Sequence, residues 1–119
     1  MKTNLNLCTQ NKQDAEFFLN IFILGVLIIL RNKKISIDDA EKLVFRLGVM
    51  EYLNSISIDQ KIVDLVMLGN ELEDVESLIP EQLDSEIQKL IDMATTNLSN
   101  RKISDNISIY IEYGNHYKK

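Results

Sequence analysis

Two rhythms of apolar and polar residues divide this chain. At both ends they alternate one by one; between the ends, apolar residues recur every three or four positions. The opening TNLNL sets Thr3, Leu5 and Leu7 against Asn4 and Asn6, and NISIYIEY sets Ile107, Ile109, Ile111 and Tyr113 against Ser108, Tyr110 and Glu112. Successive side chains of a strand point to opposite faces, and β-branched and aromatic residues suit that surface. The spacing predicts two terminal strands that pair with each other, with Arg101 to Ser104 a candidate for a short third. A two-stranded ribbon is marginal alone, so its Ile face is expected to lie on the helices. Its free edge is open to a second copy.

The helical rhythm begins with FFLNIFILGVLIIL, Phe17 to Leu30, in which Asn20 is the one polar residue. A bilayer span needs about 20 apolar residues. Asp14 and Glu16 before this run and Arg31, Lys33 and Lys34 after it leave fourteen. A secretion signal wants a basic start and a small-residue cleavage site, and here acids precede and Arg-Asn-Lys-Lys follows. The run therefore reads as a central core helix, residues 14–31, surrounded by the others, with its acids and its Arg31 matched to the helix dipole. Gly25 in its middle suggests a place where another helix comes close, or a tolerated glycine.

Further along, Ser36 and Asp39 stand in capping positions before Ile37, Ala40, Leu43, Val44 and Leu47, and Gly48 is expected to close that helix as a left-handed cap. Val49 to Asn54 reads as a short helix bearing Met50 and Leu53 inward. Ser57 and Gln60 repeat the cap pattern before a helix over Ile58 to Leu68, with Ile58, Ile62, Leu65, Val66 and Met67 inside and Gly69-Asn70 at its end. Asn70 and Glu73 cap a further stretch, Glu71 to Leu78. Pro80 opens the last helix, which runs to Asn97 with Leu83, Ile87, Leu90, Ile91, Ala94 and Leu98 on one face. The expected fold is mainly α, about five helices around the apolar helix 14–31, with a small antiparallel β element, or α+β if the sheet is counted. Its 119 residues are expected to form a single domain, 1–119.

Charge changes the picture in one place. The chain carries a net charge of −5, yet Met1 to Gln60 balances seven basic against seven acidic residues. From Glu71 to Asp92 eight acids, Glu71, Glu73, Asp74, Glu76, Glu81, Asp84, Glu86 and Asp92, face Lys89 alone. Such a district repels nucleic acid and steers basic proteins. Its bland reading is a solvated helix face.

Candidate chemistry is sparse. Cys8 permits no internal disulfide and points to a cytoplasmic protein. A thiol nucleophile would need His116, near the other end, beside it and oriented by a third group. The glycines at 25, 48, 69 and 114 build no phosphate loop, no Cys/His set suits zinc, and Glu71 to Glu76 lacks calcium-loop spacing. We expect no catalytic residues, no metal, no cofactor, and no nucleic-acid or membrane partner.

GNELEDVESLIPEQLDSEI, Gly69 to Ile87, together with ISIDDAEKLVF, Ile35 to Phe45, resembles a family of uncharacterised small bacterial proteins, a domain of unknown function, over Phe17 to Leu98. The resemblance implies a small intracellular bacterial protein and assigns no catalytic residues. In style, by size, acidity and a strand edge, the chain also looks like the immunity proteins that neutralise bacterial toxins. The expected function is a non-enzymatic protein-binding role, that of an immunity protein whose Glu71, Glu73, Asp74, Glu76, Glu81, Asp84 and Glu86 meet a basic toxin domain. Leu72 or Leu78 would be its apolar anchor, although both leucines, Leu78 more than Leu72, also suit the core. The alternative is a homodimeric structural or regulatory module joined by its terminal strands. An enzyme with an unrecognised carboxylate site trails both.

Overall fold

In the computed structural model, residues 2–105 and 110–116 are described; Ile107, Ile109 and Ser108 lie outside them. The order is β1 (Lys2–Cys8), α1 (Lys12–Arg31), α2 (Ile37–Leu43), α3 (Leu47–Ser55), α4 (Gln60–Asn70), α5 (Leu72–Leu78), a 3-10 turn (Pro80–Gln82), α6 (Leu83–Ser99) and β2 (Tyr110–His116). The fold is mainly α with a small antiparallel β element, as expected.

Helix α1 starts at Asn11, whose side chain accepts from the Asp14 N–H, and ends at Asn32. Its 20 residues make it long and apolar enough, by length and composition, to cross a membrane. In this fold Ile23, Val26, Leu27 and Leu30 are buried instead, on a helix that packs most extensively against α6 and then α2 and α4. Buried Asn20 keeps one hydrogen bond, Nδ2 donating to the Ala94 carbonyl of α6 at 2.8 Å. The helix is not surrounded all round: Ile21, Phe22, Gly25 and Ile29 face outward. Among the described residues nothing lies within 4 Å of where a Gly25 Cβ would stand, so none of the described helices approaches there.

The close approach is at Gly69. A methyl group there would overlap the ring of Phe45, which is fully buried. This contact reshapes the elements around it. Helix α2 begins as its sequence says, with reciprocal Ser36–Asp39 capping, but stops at Leu43 so that Phe45 can turn inward. The Phe45 carbonyl then accepts from Asn70 Nδ2 at 2.9 Å. Gly48 consequently lies inside α3 and caps nothing, and with the period reset Leu43 and Leu47 are exposed. The described left-handed residues are Lys33 and Ser57.

Ser57 in that conformation is a turn residue, and Asp59 caps α4 by accepting from the Lys61 N–H. Gly69 and Asn70 complete α4 rather than ending it, Met67 is exposed, and α5 has no side-chain cap. Pro80 opens a 3-10 turn that leads into α6. The inner face of α6 is Ile87, Leu90, Ile91 and Ala94, with Asn97 buried beyond them.

β1 and β2 pair antiparallel, with Leu5 opposite Tyr113 and Leu7 opposite Ile111. Arg101 to Ser104 form no strand; they strap the N-terminal turn of α1. The ribbon's described apolar side chains are not covered by the helices: Leu5 is 70% and Ile111 63% exposed. β1 ends three residues before α1, and the strap holds Ser104 at the same helix end.

Candidate functional site

Helix α5 presents acids because its one buried residue, Leu72, faces the core. The amphipathic turn leaves Glu73, Asp74 and Glu76 outward, and the 3-10 turn adds Glu81. Glu71, Glu73, Asp74, Glu76 and Glu81 are exposed and in no ion pair among the described residues. The other two expected site residues differ. Asp84 is exposed and lies 3.6 Å from Lys33 Nζ, and half-buried Glu86 pairs with Lys89 at 2.9 Å. Asp92 accepts from Gln88 Nε2 at 3.0 Å.

Of the two leucines, Leu72 is 2% exposed and belongs to the core, whereas Leu78 is 78% exposed. The helix stops at Leu78 because Ile79 leaves the helical conformation before Pro80, so the last side chain of α5 is left beyond the packed face. Ile79 beside it is also exposed.

Helix α2 brings a residue that the sequence reading missed. Glu41, half-buried, meets Glu73 across the α2–α5 contact. Its pKa is raised, first by the hydrogen bond to Glu73, then by burial, then by the charges of Glu73, Asp38 and Asp74. With both carboxylates ionised, Glu41 Oε1 has no donor, and only a shared proton links the two groups. No sequence spacing joins positions 41 and 73; only the packing of α2 on α5 does.

A cleft of about 140 Å³ opens between α5 and α6. Leu68, Leu72, Val75, Leu90 and Met93 make it apolar, while Glu71, Glu86 and Lys89 also line it. That volume suits one side chain. A wider groove of about 440 Å³, lined by Lys61, Asp64, Asp92, Met93, Thr96 and Asn97, runs along α4 and α6. Among the described residues, no group of three or more His, Cys, Asp or Glu is placed to hold a metal ion.

Residues 10–112 match the family described as "Protein of unknown function (DUF3969)". The chain belongs to that family. The match begins beside the Asn11 cap and ends inside β2, so DUF3969 takes in all six helices, the strap and the acidic face, and leaves out β1. No curated protein and no solved structure matches the chain.

Proposed function

We propose that this DUF3969 protein is a cytoplasmic protein-binding protein that covers a basic partner with its α5 face, in the manner of an immunity protein occluding the cationic site of a toxin domain. The observation that carries the reading is Leu78, exposed at the end of α5, a helix whose outward carboxylates make no ion pair among the described residues. An exposed large apolar residue on a helix whose outward charges are of one sign has the anatomy of an interface anchor with a polar rim. The cleft between α5 and α6 supports it: the aliphatic stem of a partner Lys or Arg fits between Leu72, Val75, Leu90 and Met93, with its charged head at Glu71 and in competition with Lys89 for Glu86.

Unpaired acids steer a basic partner and set its orientation, while Leu78 and the cleft slow its departure. Binding needs no chemistry from this chain, because an occluded cationic site can no longer bind its own anionic ligand.

Lysate from the source cells is passed over wild-type protein, over a variant with Glu73, Asp74 and Glu76 all changed to Lys, and over Leu78→Ala. The partner retained by the wild type should be lost on the triple variant and weakened on Leu78→Ala, with an association rate that falls steeply as salt rises in the wild type. Retention of the same partner by all three with one salt response would assign the acids to solvation alone.

A further inference from the structure

The groove between α4 and α6 differs in chemistry from one end to the other. The two helices line it in opposite directions, with Lys61, Thr96 and Asn97 at one end and Asp64, Asp92 and Met93 at the other. An inner pocket of about 100 Å³ fixes that order: it shares Lys61 and Asn97 with the groove, adds Asp59, Asn100 and Arg101, and is not lined by Asp64 or Asp92.

Both ends lack partners. Asn97 is 9% exposed, and its Nδ2 has no hydrogen-bond partner among the described residues. Arg101 Nε, at the same inner pocket, has none either. Buried polar groups are nearly all paired in folded proteins, so two unpartnered donors beside one cavity point to an oxygen that enters it. Asp59 does not supply that oxygen, because it already accepts from the Lys61 N–H at 2.9 Å and meets Arg101 at 3.0 Å. At the other end Asp64 and Asp92 accept from Gln60 and Gln88 of their own helices and make no ion pair among the described residues. Two carboxylates on one groove repel each other, and a cation bound between them relieves both.

We infer that this groove binds a small primary amine of dipeptide length, with its ammonium group at Asp64 and Asp92, its apolar body over Met93, and a carbonyl or carboxylate oxygen at Lys61 and Asn97. The site uses none of the acids of the α5 face and stands apart from the partner reading above.

Dimensions select the length of the ligand. Lys61 and Asp64 are about 4–5 Å apart along the axis of α4, and Asp92 and Asn97 about 7–8 Å apart along that of α6. A dipeptide extends about 7 Å. A single α-amino acid carries both charges on one carbon and cannot reach both ends. The groove's volume of about 440 Å³ falls within the range of roughly 300–1,000 Å³ usual for small-molecule sites. Met93, unbranched and 37% exposed, adapts to the apolar body. Arg101 is already shared by Glu16 and Asp59, so the free positive charge at the oxygen end is that of Lys61. One cation and one amide suit a carbonyl as well as a carboxylate.

NMR titration of the wild type to about 10 mM, a range that reaches weak small-ligand affinities, tests the site with leucyl-leucine, its C-terminal amide, N-acetyl-leucyl-leucine and hexylamine. The dipeptide, its amide or both should shift the signals of Asp64, Met93 and Asn97; tighter binding of the acid assigns the oxygen to a carboxylate, and tighter binding of the amide assigns it to a carbonyl. The acetylated dipeptide lacks the ammonium group and hexylamine lacks the oxygen, so each should bind at least about tenfold more weakly. Asp64→Asn combined with Asp92→Asn should abolish binding, and Lys61→Ala, at an exposed site, should weaken it. Asn97→Leu should weaken it about tenfold with Tm unchanged or raised, because the change removes an unpartnered donor, whereas an asparagine that only supports the fold would lower Tm. The variant with Lys at positions 73, 74 and 76 should bind the dipeptide as the wild type does. No shift with either the dipeptide or its amide overturns the proposal. So does equal binding of hexylamine or the acetylated dipeptide, or binding that survives the Asp64→Asn, Asp92→Asn double change.

Discussion

Asp14 accepts two hydrogen bonds from Ser104, 90 positions along the chain: the backbone N–H at 2.9 Å and the hydroxyl at 2.7 Å. Around this pair, Gln13 Nε2 donates to the Lys102 carbonyl at 2.7 Å, and Arg101 spans Glu16 at 3.6 Å and Asp59 at 3.0 Å. Glu16 in turn accepts the Asp59 N–H at 2.7 Å. The segment after α6 is thus tied to the start of α1, and through Asp59 to the cap of α4.

The Asp14 carboxylate is held below its ordinary range, first by the Ser104 N–H, then by the Ser104 hydroxyl and the Asn11 side chain; burial acts the other way. It is shielded from water at the rim of the bundle rather than in the dense core, so the hydrogen bonds win. A lowered folded-state pKa means stability that is present above the ordinary value of 3.8 and lost as pH falls through the lowered one. Asp14→Ala should lower Tm at neutral pH by roughly 5–10 °C, and Ser104→Ala, which spares the backbone donor, by less. As pH falls below 3.8 and through the lowered value, the Asp14→Ala and wild-type curves should converge. Thermal melts across pH check both.

Gly69→Ala tests the Phe45 contact. The new methyl meets a buried ring on a neighbouring segment, so the variant should lose about 1–3 kcal/mol. Combining it with Phe45→Leu should cost less than the sum of the two single changes, because the smaller side chain vacates the overlap. Gly48→Ala is the control: nothing lies within 4 Å of its Cβ, and it should stabilise by about 0.5 kcal/mol through helix propensity alone. Urea unfolding of the four variants gives all these numbers.

Those two glycines also mark how far the sequence could be read. Periodicity located every helix, because apolar spacing follows the buried face directly, and the Ser36–Asp39 cap was legible because both partners lie within one turn. Gly48 was misread, and Gly25 was left open between a close approach and a tolerated glycine, because a glycine's reason, a turn or a near neighbour, depends on tertiary packing that spacing does not carry. Leu43 and Leu47 failed, and Leu78 stayed open between anchor and core, for one reason: a break forced by Phe45 or Pro80 shifts which face they share. The acids of α5 were placed outward correctly, since a dense run of charge has only solvent to face. Glu41 was invisible among them, as was the strap on Asp14, whose partners lie far apart in sequence.

Glu41 joins stability to the proposed binding face. Its folded-state pKa is raised, so its contribution to stability is fully present below the ordinary value of 4.5 and is lost as pH rises through the raised value. At neutral pH the fold therefore holds two facing carboxylates that repel, with Asp38 and Asp74 adding to the field. Glu41→Gln and Glu73→Gln should each raise Tm at pH 7, the gain shrinking as pH falls through the raised value and gone below 4.5. The double variant should gain less than the sum, because either change alone relieves the same repulsion. For the same reason the variant carrying Lys at positions 73, 74 and 76 should be at least as stable as the wild type, since its other two changes are at exposed sites that usually move stability by no more than about 0.5 kcal/mol. A face that stabilises the fold when its charge is removed, and loses its partner in the same step, holds its acids for binding. If Glu73→Gln leaves Tm unchanged at pH 7, the two carboxylates do not repel and this account of the face fails at its first link.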